Sequence, residues 1–155
     1  MADIPEDVAA ALAEVPRITG AARDPWWIIG SAAALLHGAE TNVGDIDLLM
    51  SVRDARAVLG AGGAAARPGG GSDLFHSDAF GTIHTGALAI EVMGGLKVRT
   101  SDGWQAVALA TRRPVRLGAA TLLVPERAEL IDLLRLFGRD KDVARAGLLA
   151  ALPGA

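Results

Sequence analysis

The 155-residue chain contains no cysteine. That excludes a disulfide framework, a thiolate metal site and a cysteine nucleophile. No apolar run reaches about 18 residues, so no membrane-spanning helix is expected. The first ten residues, MADIPEDVAA, are acidic and do not read as a signal peptide. A cytoplasmic location is the default expectation. Charged residues make up only 21%, and the formal net charge is -3. A wholly basic nucleic-acid-binding surface is therefore not expected. Aromatic residues are scarce at 4%. Alanine and glycine supply much of the bulk.

Hydrophobic residues make up 51%, too many for a mainly disordered chain. The length suggests one domain spanning 1–155, and a domain of that size buries about 70% of its unfolded surface. The charge is divided. Residues 1–96 hold five Lys and Arg against twelve Asp and Glu, a net of -7. Residues 97–155 hold ten against six, a net of +4. Two such halves make either a polar cleft or two solvated faces.

Apolar spacing predicts a first helix over 4–15, with Val8, Leu12 and Val15 on one stripe. Pro16, Gly20 and Pro25 punctuate the chain after it. Trp26–Ile29 reads as a buried strand ending at Gly30-Ser31, and Ala32–His37 as a helix that Gly38 stops. Residues 46–51 read as a second strand and 54–59 as a short helix. The glycines between 60 and 72 predict a mobile loop. Phe80–His84 and Ala87–Met93 read as a strand pair around a Thr85-Gly86 turn. Further strands are expected at 104–110, 115–117 and 121–124. Leu130, Leu133, Leu134 and Phe137 keep helical spacing after Pro125, Gly138 breaks that helix, and Lys141–Leu149 forms the last one. The pattern is a mixed α/β (α+β) domain with a sheet core of about 26–124 and a helical segment of about 125–151.

The sharpest local feature is Gly30-Ser31 followed by Asp45-Ile46-Asp47. Residues two apart in a strand face the same side, so Asp45 and Asp47 aim two carboxylates at one point. Bare carboxylates that close repel, unless a cation sits between them or a proton is shared. Magnesium takes carboxylate oxygens and keeps room for phosphates. The Gly30-Ser31 turn follows a strand and opens a helix, where backbone N–H groups and a serine hydroxyl suit phosphate. Taken alone, it is equally an ordinary N-cap. Glu91 is a lone acid in an apolar strand, and burying an unpaired charge is costly. It must face water, a basic partner or a metal.

Together these residues resemble the nucleotidyltransferase superfamily of the polymerase-beta type. The stretch WWIIGSAAALLHGAETNVGDIDLLMS and the later strand LAIEVMGG carry the resemblance, over about residues 26–93. The tail, with Lys141-Asp142 near the start of its last helix, resembles small bacterial members. The resemblance implies that Asp45, Asp47 and Glu91 hold two Mg²⁺ ions and do the catalytic work. It implies that Gly30 and Ser31 cradle the β- and γ-phosphates of an NTP such as ATP. Lys141 and Arg139 become phosphate contacts, and Glu91 a candidate to take the acceptor proton. Two departures stand out. The run Thr41-Asn42-Val43-Gly44 carries no basic residue where antibiotic-modifying and toxin relatives often place arginine. Arg145 stands where toxin-type relatives tend to have aspartate.

Other residues carry less. His37, His76 and His84 match no zinc spacing. His37 is expected to cap its helix as a favourable cation. His76 and His84 are expected near the cleft without an assigned role. Of Trp26 and Trp27, one ring is expected in the core, and Trp27 is weighed for base stacking. Trp104 is expected to cover the sheet edge. Arg112, Arg113 and Arg116 read as a solvated hairpin or, more sharply, an acceptor or nucleic-acid contact. Lys141 opposes the dipole at its helix start, which favours a partner such as Asp45, Asp47 or a phosphate.

The favoured expectation is metal-dependent transfer of a nucleoside monophosphate from an NTP to an acceptor hydroxyl. A small molecule, RNA or protein can serve as acceptor, and no membrane is involved. The alternatives are a non-catalytic nucleotide-binding or protein-interaction module on the same fold, and a toxin-like transferase held by an antitoxin. A homodimer stays open.

Overall fold

The computed structural model describes residues 3–154. Five helices and nine strands are described within that range. The first helix, α1 (Glu6–Thr19), buries Val8, Ala11, Leu12 and Val15. It runs through Pro16 rather than stopping there. The Thr19 hydroxyl donates to the Val15 carbonyl at 2.8 Å in its last turn. Strand β1 (Trp27–Ile29) turns directly into α2 (Gly30–Leu36), all seven residues of which are buried. Strand β2 (Asp45–Met50) comes next, and then α3 (Val52–Ala61), whose N-cap Ser51 accepts from the Asp54 amide.

The stretch expected to be a loop contains strand β3 (Arg67–Ser72), paired antiparallel with β4 (Phe75–His84). The glycines there serve a close backbone approach as well as freedom. A Cβ built on Gly70 would lie 2.5 Å from the Phe75 carbonyl oxygen. Strands β5 (Ala89–Gly94), β6 (Lys97–Thr100) and β7 (Gly103–Ala106) complete the large sheet. Strand β4 starts five residues before the expected Phe80, β6 was not expected, and β7 ends at Ala106 rather than Ala110.

The sheet order is β1-β2-β5-β4-β6-β7, with β3 paired to β4. The β2–β5 pair is parallel, and the others are antiparallel. Such a mixed sheet brings residues far apart in the chain into one row. Ile29 registers with Asp47, Asp47 with Glu91, and Glu91 with Thr82. Alternate residues Ile46, Leu48, Ile90 and Val92 are buried, so one face is core and the acids lie on the other.

A separate hairpin, β8 (Arg113–Leu117) with β9 (Ala120–Val124), packs against α1 and β1. Helix α4 (Arg127–Phe137) ends at Gly138, whose φ of 73° is the left-handed cap expected of glycine. Helix α5 (Asp140–Ala150) then turns back against α4 and α2. No helix among the described residues is long and apolar enough to cross a membrane.

Candidate active site

Asp45 and Asp47 stand two residues apart on β2, and Glu91 is the registered neighbour of Asp47 on β5. Each of the three can offer an oxygen such that all lie within 4.8 Å of one another. The geometry is costly without a cation. Burial, followed by the charge of Asp45, lifts the Asp47 carboxyl to about 7. Glu91 is lifted to about 8 by a hydrogen bond shared with Asp45, by burial and by both aspartate charges. Three convergent hard oxygen donors of this kind fit Mg²⁺ or a similar divalent ion.

Gly30 closes one side of this cluster. Its φ is +68°, a conformation that side chains rarely adopt. A Cβ there would lie 2.7 Å from an Asp47 carboxylate oxygen. Glycine is thus required twice, for the turn and for the approach of backbone to Asp47. The next residue, Ser31, is buried and lines the same cavity. No side chain caps the start of α2.

The opposite wall comes from α5 and its N-cap. Arg139, Lys141 and Arg145 all line the cavity, which has a volume of about 300 Å³. All three charges pull against the rise of the Asp47 pKa, with Arg139 first, but burial wins. Two of the cations are held by one buried acid. Asp142 is 1% exposed and accepts from Arg139 Nε at 2.6 Å and from its Nη2 at 3.0 Å. Arg145 Nη1 lies 3.9 Å from an Asp142 oxygen. Arg145 Nε donates to Thr41 Oγ1 at 3.1 Å, so α5 supplies a cation beside the loop that lacks one. The Arg139 guanidinium also lies 4.8 Å from the centre of the Phe75 ring.

Every residue expected at the site therefore lines one cavity: Gly30 and Ser31 from α2, Asp45 and Asp47 from β2, Glu91 from β5, and Arg139 and Lys141 from the start of α5. Sequence reasoning did not assign Asp142 or Arg145 to the site. Their spacing, 139, 142 and 145, is one helical face, and that was the available signal.

Several secondary expectations change. His37 does stand at the C-cap of α2, but its Nε2 bonds the Pro125 carbonyl oxygen at 2.8 Å. Burial lowers its pKa, so it is a neutral tie to the start of α4 rather than a cationic cap. His76 lies beside Asp78 and edge-on to Trp104, and neither it nor His84 is among the cavity residues. Trp27 is not placed to stack on a base there. Its indole N–H donates to the Thr111 carbonyl at 2.7 Å, and Arg112 lies over its ring. Trp104 is 50% exposed on edge strand β7. Arg113 pairs with Glu126 at 3.8 Å, and the basic residues of this hairpin do not line the cavity.

No protein-family model and no curated protein sequence matches the chain. Solved structures do. One from Thermotoga maritima, named a "putative nucleotidyltransferase", superposes with a TM-score of 0.74 at 21% identity. The match covers 96% of this chain and 93% of that one. The fold is that of the nucleotidyltransferases. The lincosamide antibiotic adenylyltransferase LnuA, bound to lincomycin, gives a TM-score of 0.58 at 11% identity over 98% of this chain and all of its own. ANT(2'')-Ia, in complex with adenylyl-2''-tobramycin, gives 0.55 at 12% identity over 92% and 87%. At these identities the likeness is one of fold, and it agrees with the architecture expected from the sequence.

Proposed function

We propose that the chain is a metal-dependent nucleotidyltransferase that moves a nucleoside monophosphate from an NTP to an acceptor hydroxyl. The observation that carries this reading is the pairing of walls across one cavity. Three carboxylates within 4.8 Å of one another face Arg139, Lys141 and Arg145. A divalent cation with a triphosphate complements both walls, which neither a simple anion nor a simple cation does.

Asp45, Asp47 and Glu91 would hold the metal. When bound, it supplies charge stabilisation to the phosphates and lowers the pKa of a hydroxyl near it. The protein's own groups do the positioning. Gly30 and Ser31 receive the leaving phosphates, and Arg139, Lys141 and Arg145 balance their charge. Glu91 stands on the far side of Asp47 from Gly30 and takes the proton of the attacking hydroxyl. One domain suffices for this chemistry, and its need for NTP suits the cytoplasm.

Incubation with labelled NTPs, Mg²⁺ and cell extract tests the proposal. Label in an acceptor, lost in Asp45→Ala and Asp47→Ala, is the expected result. Nucleotide binding that survives both substitutions, with no transfer from any NTP, would leave only a binding module. Growth arrest on expression, relieved by a neighbouring small protein, would favour the toxin-like form.

A further inference from the structure

The cavity is not uniform. Across the sheet its row runs from Ile29 at the end of β1, next to Gly30, through Asp47 on β2 and Glu91 on β5, to β4. Beyond Glu91 the lining becomes apolar: Phe75, Phe80, Met93, Leu96 and Phe137. Met93 lies two residues past Glu91 on the same face of β5, roughly 7 Å along the strand.

One polar group sits among these side chains. Ser77 is 1% exposed and lines the cavity. Its Oγ is the buried side-chain polar atom left without a hydrogen-bond partner among the described residues. A break in the strand brings it there. Arg67 registers with Phe80 and Gly69 with Ser77, so three steps of β4 oppose two of β3. Strict alternation would put Ser77 and Phe80 on opposite faces, but the bulge brings both to the cavity.

We propose that this part of the cavity is the acceptor compartment, taking a small uncharged molecule whose hydroxyl is carried on an apolar, ring-sized body, and that Ser77 selects it by a hydrogen bond. The inference rests on the transferase reading. The acceptor oxygen attacks the α-phosphorus and forms a new O–P bond. The bond from that phosphorus to the oxygen bridging the β-phosphate breaks, and its electron pair leaves with pyrophosphate. The hydroxyl proton goes to the Glu91 carboxylate. Attack and departure lie in line, so pyrophosphate held at Gly30-Ser31 requires the acceptor on the Glu91 side. That side opens onto the apolar lining.

Polarity and size narrow the class. Apart from Ser77 this part of the lining offers no polar side chain, so a polycationic acceptor such as an aminoglycoside finds few hydrogen-bond partners there, and the whole cavity, at about 300 Å³, favours a small molecule.

The test uses the whole chain with Mg²⁺ and α,β-methylene ATP, which binds without transfer. 2-Phenylethanol, 3-phenylpropan-1-ol, tobramycin and a short RNA hairpin are each titrated, followed by backbone amide shifts. The expected result is binding of the aryl alcohols with shifts on β4 and β5. Ser77→Ala should weaken them about three- to tenfold, the worth of one neutral hydrogen bond, with nucleotide affinity unchanged. Thermal stability should hold or rise, because an unpaired hydroxyl is removed. Phe80→Trp, which narrows the compartment, is a second variant with the same readout. Tobramycin or RNA binding in preference, shifts elsewhere, or alcohol affinity unmoved by both variants would overturn the inference. A chain that binds nucleotide but no alcohol refutes the compartment alone. One that binds neither refutes the transferase reading as well.

Discussion

Removing one charge from the acidic cluster should make the metal-free protein more stable. Asp47 is the informative position, because its carboxyl is lifted from 3.8 to about 7. A folded-state pKa above the unfolded value means that ionisation is disfavoured by folding. Through Asp47 the wild-type chain therefore loses stability as pH rises from about 4 to about 7, and through Glu91 the loss continues to about pH 8. A rise of about three pH units has a ceiling of roughly 4 kcal/mol at 1.36 kcal/mol each. Arg139, Arg145 and Lys141 pull against the rise, and solvent screens part of the field. About 1–2 kcal/mol is the expected gain for Asp47→Asn at pH 8. At about 2–4 °C per kcal/mol for a chain of this size, the melting temperature should rise by roughly 2–8 °C. Calorimetric melts from pH 4 to pH 9 in chelator measure this directly. The two proteins should converge near pH 4 and diverge toward pH 8. Added Mg²⁺ should then raise the wild type and leave the variant nearly unmoved. A variant that melts at or below wild type throughout, or one with the same pH slope, would refute the account of the cluster.

Three further perturbations read other parts of the site and its frame. Gly30→Ala puts a side chain on a φ of +68° and against Asp47, so it should cost about 1–2 kcal/mol in urea unfolding and weaken Mg²⁺ binding; an unchanged midpoint would contradict the packing. Asp142→Asn loosens Arg139 and Arg145, and should raise the KM for NTP roughly tenfold, about 1.4 kcal/mol, with a smaller change in kcat; wild-type nucleotide affinity would remove Asp142 from the positioning role. Asp54 is buried and accepts from the Asp24 amide at 2.8 Å and from the Arg23 amide, tying the approach to β1 onto α3. Burial alone would raise its carboxyl, but those backbone hydrogen bonds and Arg53 hold it below the usual range. Asp54→Ala should therefore cost about 1–3 kcal/mol at pH 7, and the deficit should shrink as pH falls below 4; a constant deficit across that range would refute the carboxylate's role.

The parts of the site that were legible in the sequence are those governed by short periods. Two residues along a strand put Asp45 and Asp47 on one face, and a lone acid among Ala-Ile-Val-Met announced Glu91. Glycine before serine at a strand-to-helix junction announced the turn. What was not legible depends on partners far away in the chain. The glycines of β3 looked like slack, but Gly70 is dictated by the backbone of Phe75 across the hairpin. Ser77 lay outside the expected strands, and the bulge that turns it toward the cavity is a mismatch of β4 against β3. Arg145 looked like a departure from a family pattern. Its meaning comes from Thr41, which only the packing of α5 against α2 brings within 3.1 Å.

The arrangement of opposing charges argues for more than a nucleotide-binding module. Arg139, Lys141 and Arg145 would alone hold a triphosphate, and such a module needs no acids opposite them. The three carboxylates weaken phosphate binding in the absence of metal, and their crowding lifts the Asp47 and Glu91 carboxyls, so they cost both affinity and stability. That cost is offset only when a divalent ion enters with the nucleotide. Even then two carboxylates would suffice to hold one ion. Glu91 lies a strand further from Gly30, on the β4 side of the metal cluster. On the proposed transferase reading it lies where an attacking hydroxyl would lose its proton, a role that a nucleotide-binding module does not need.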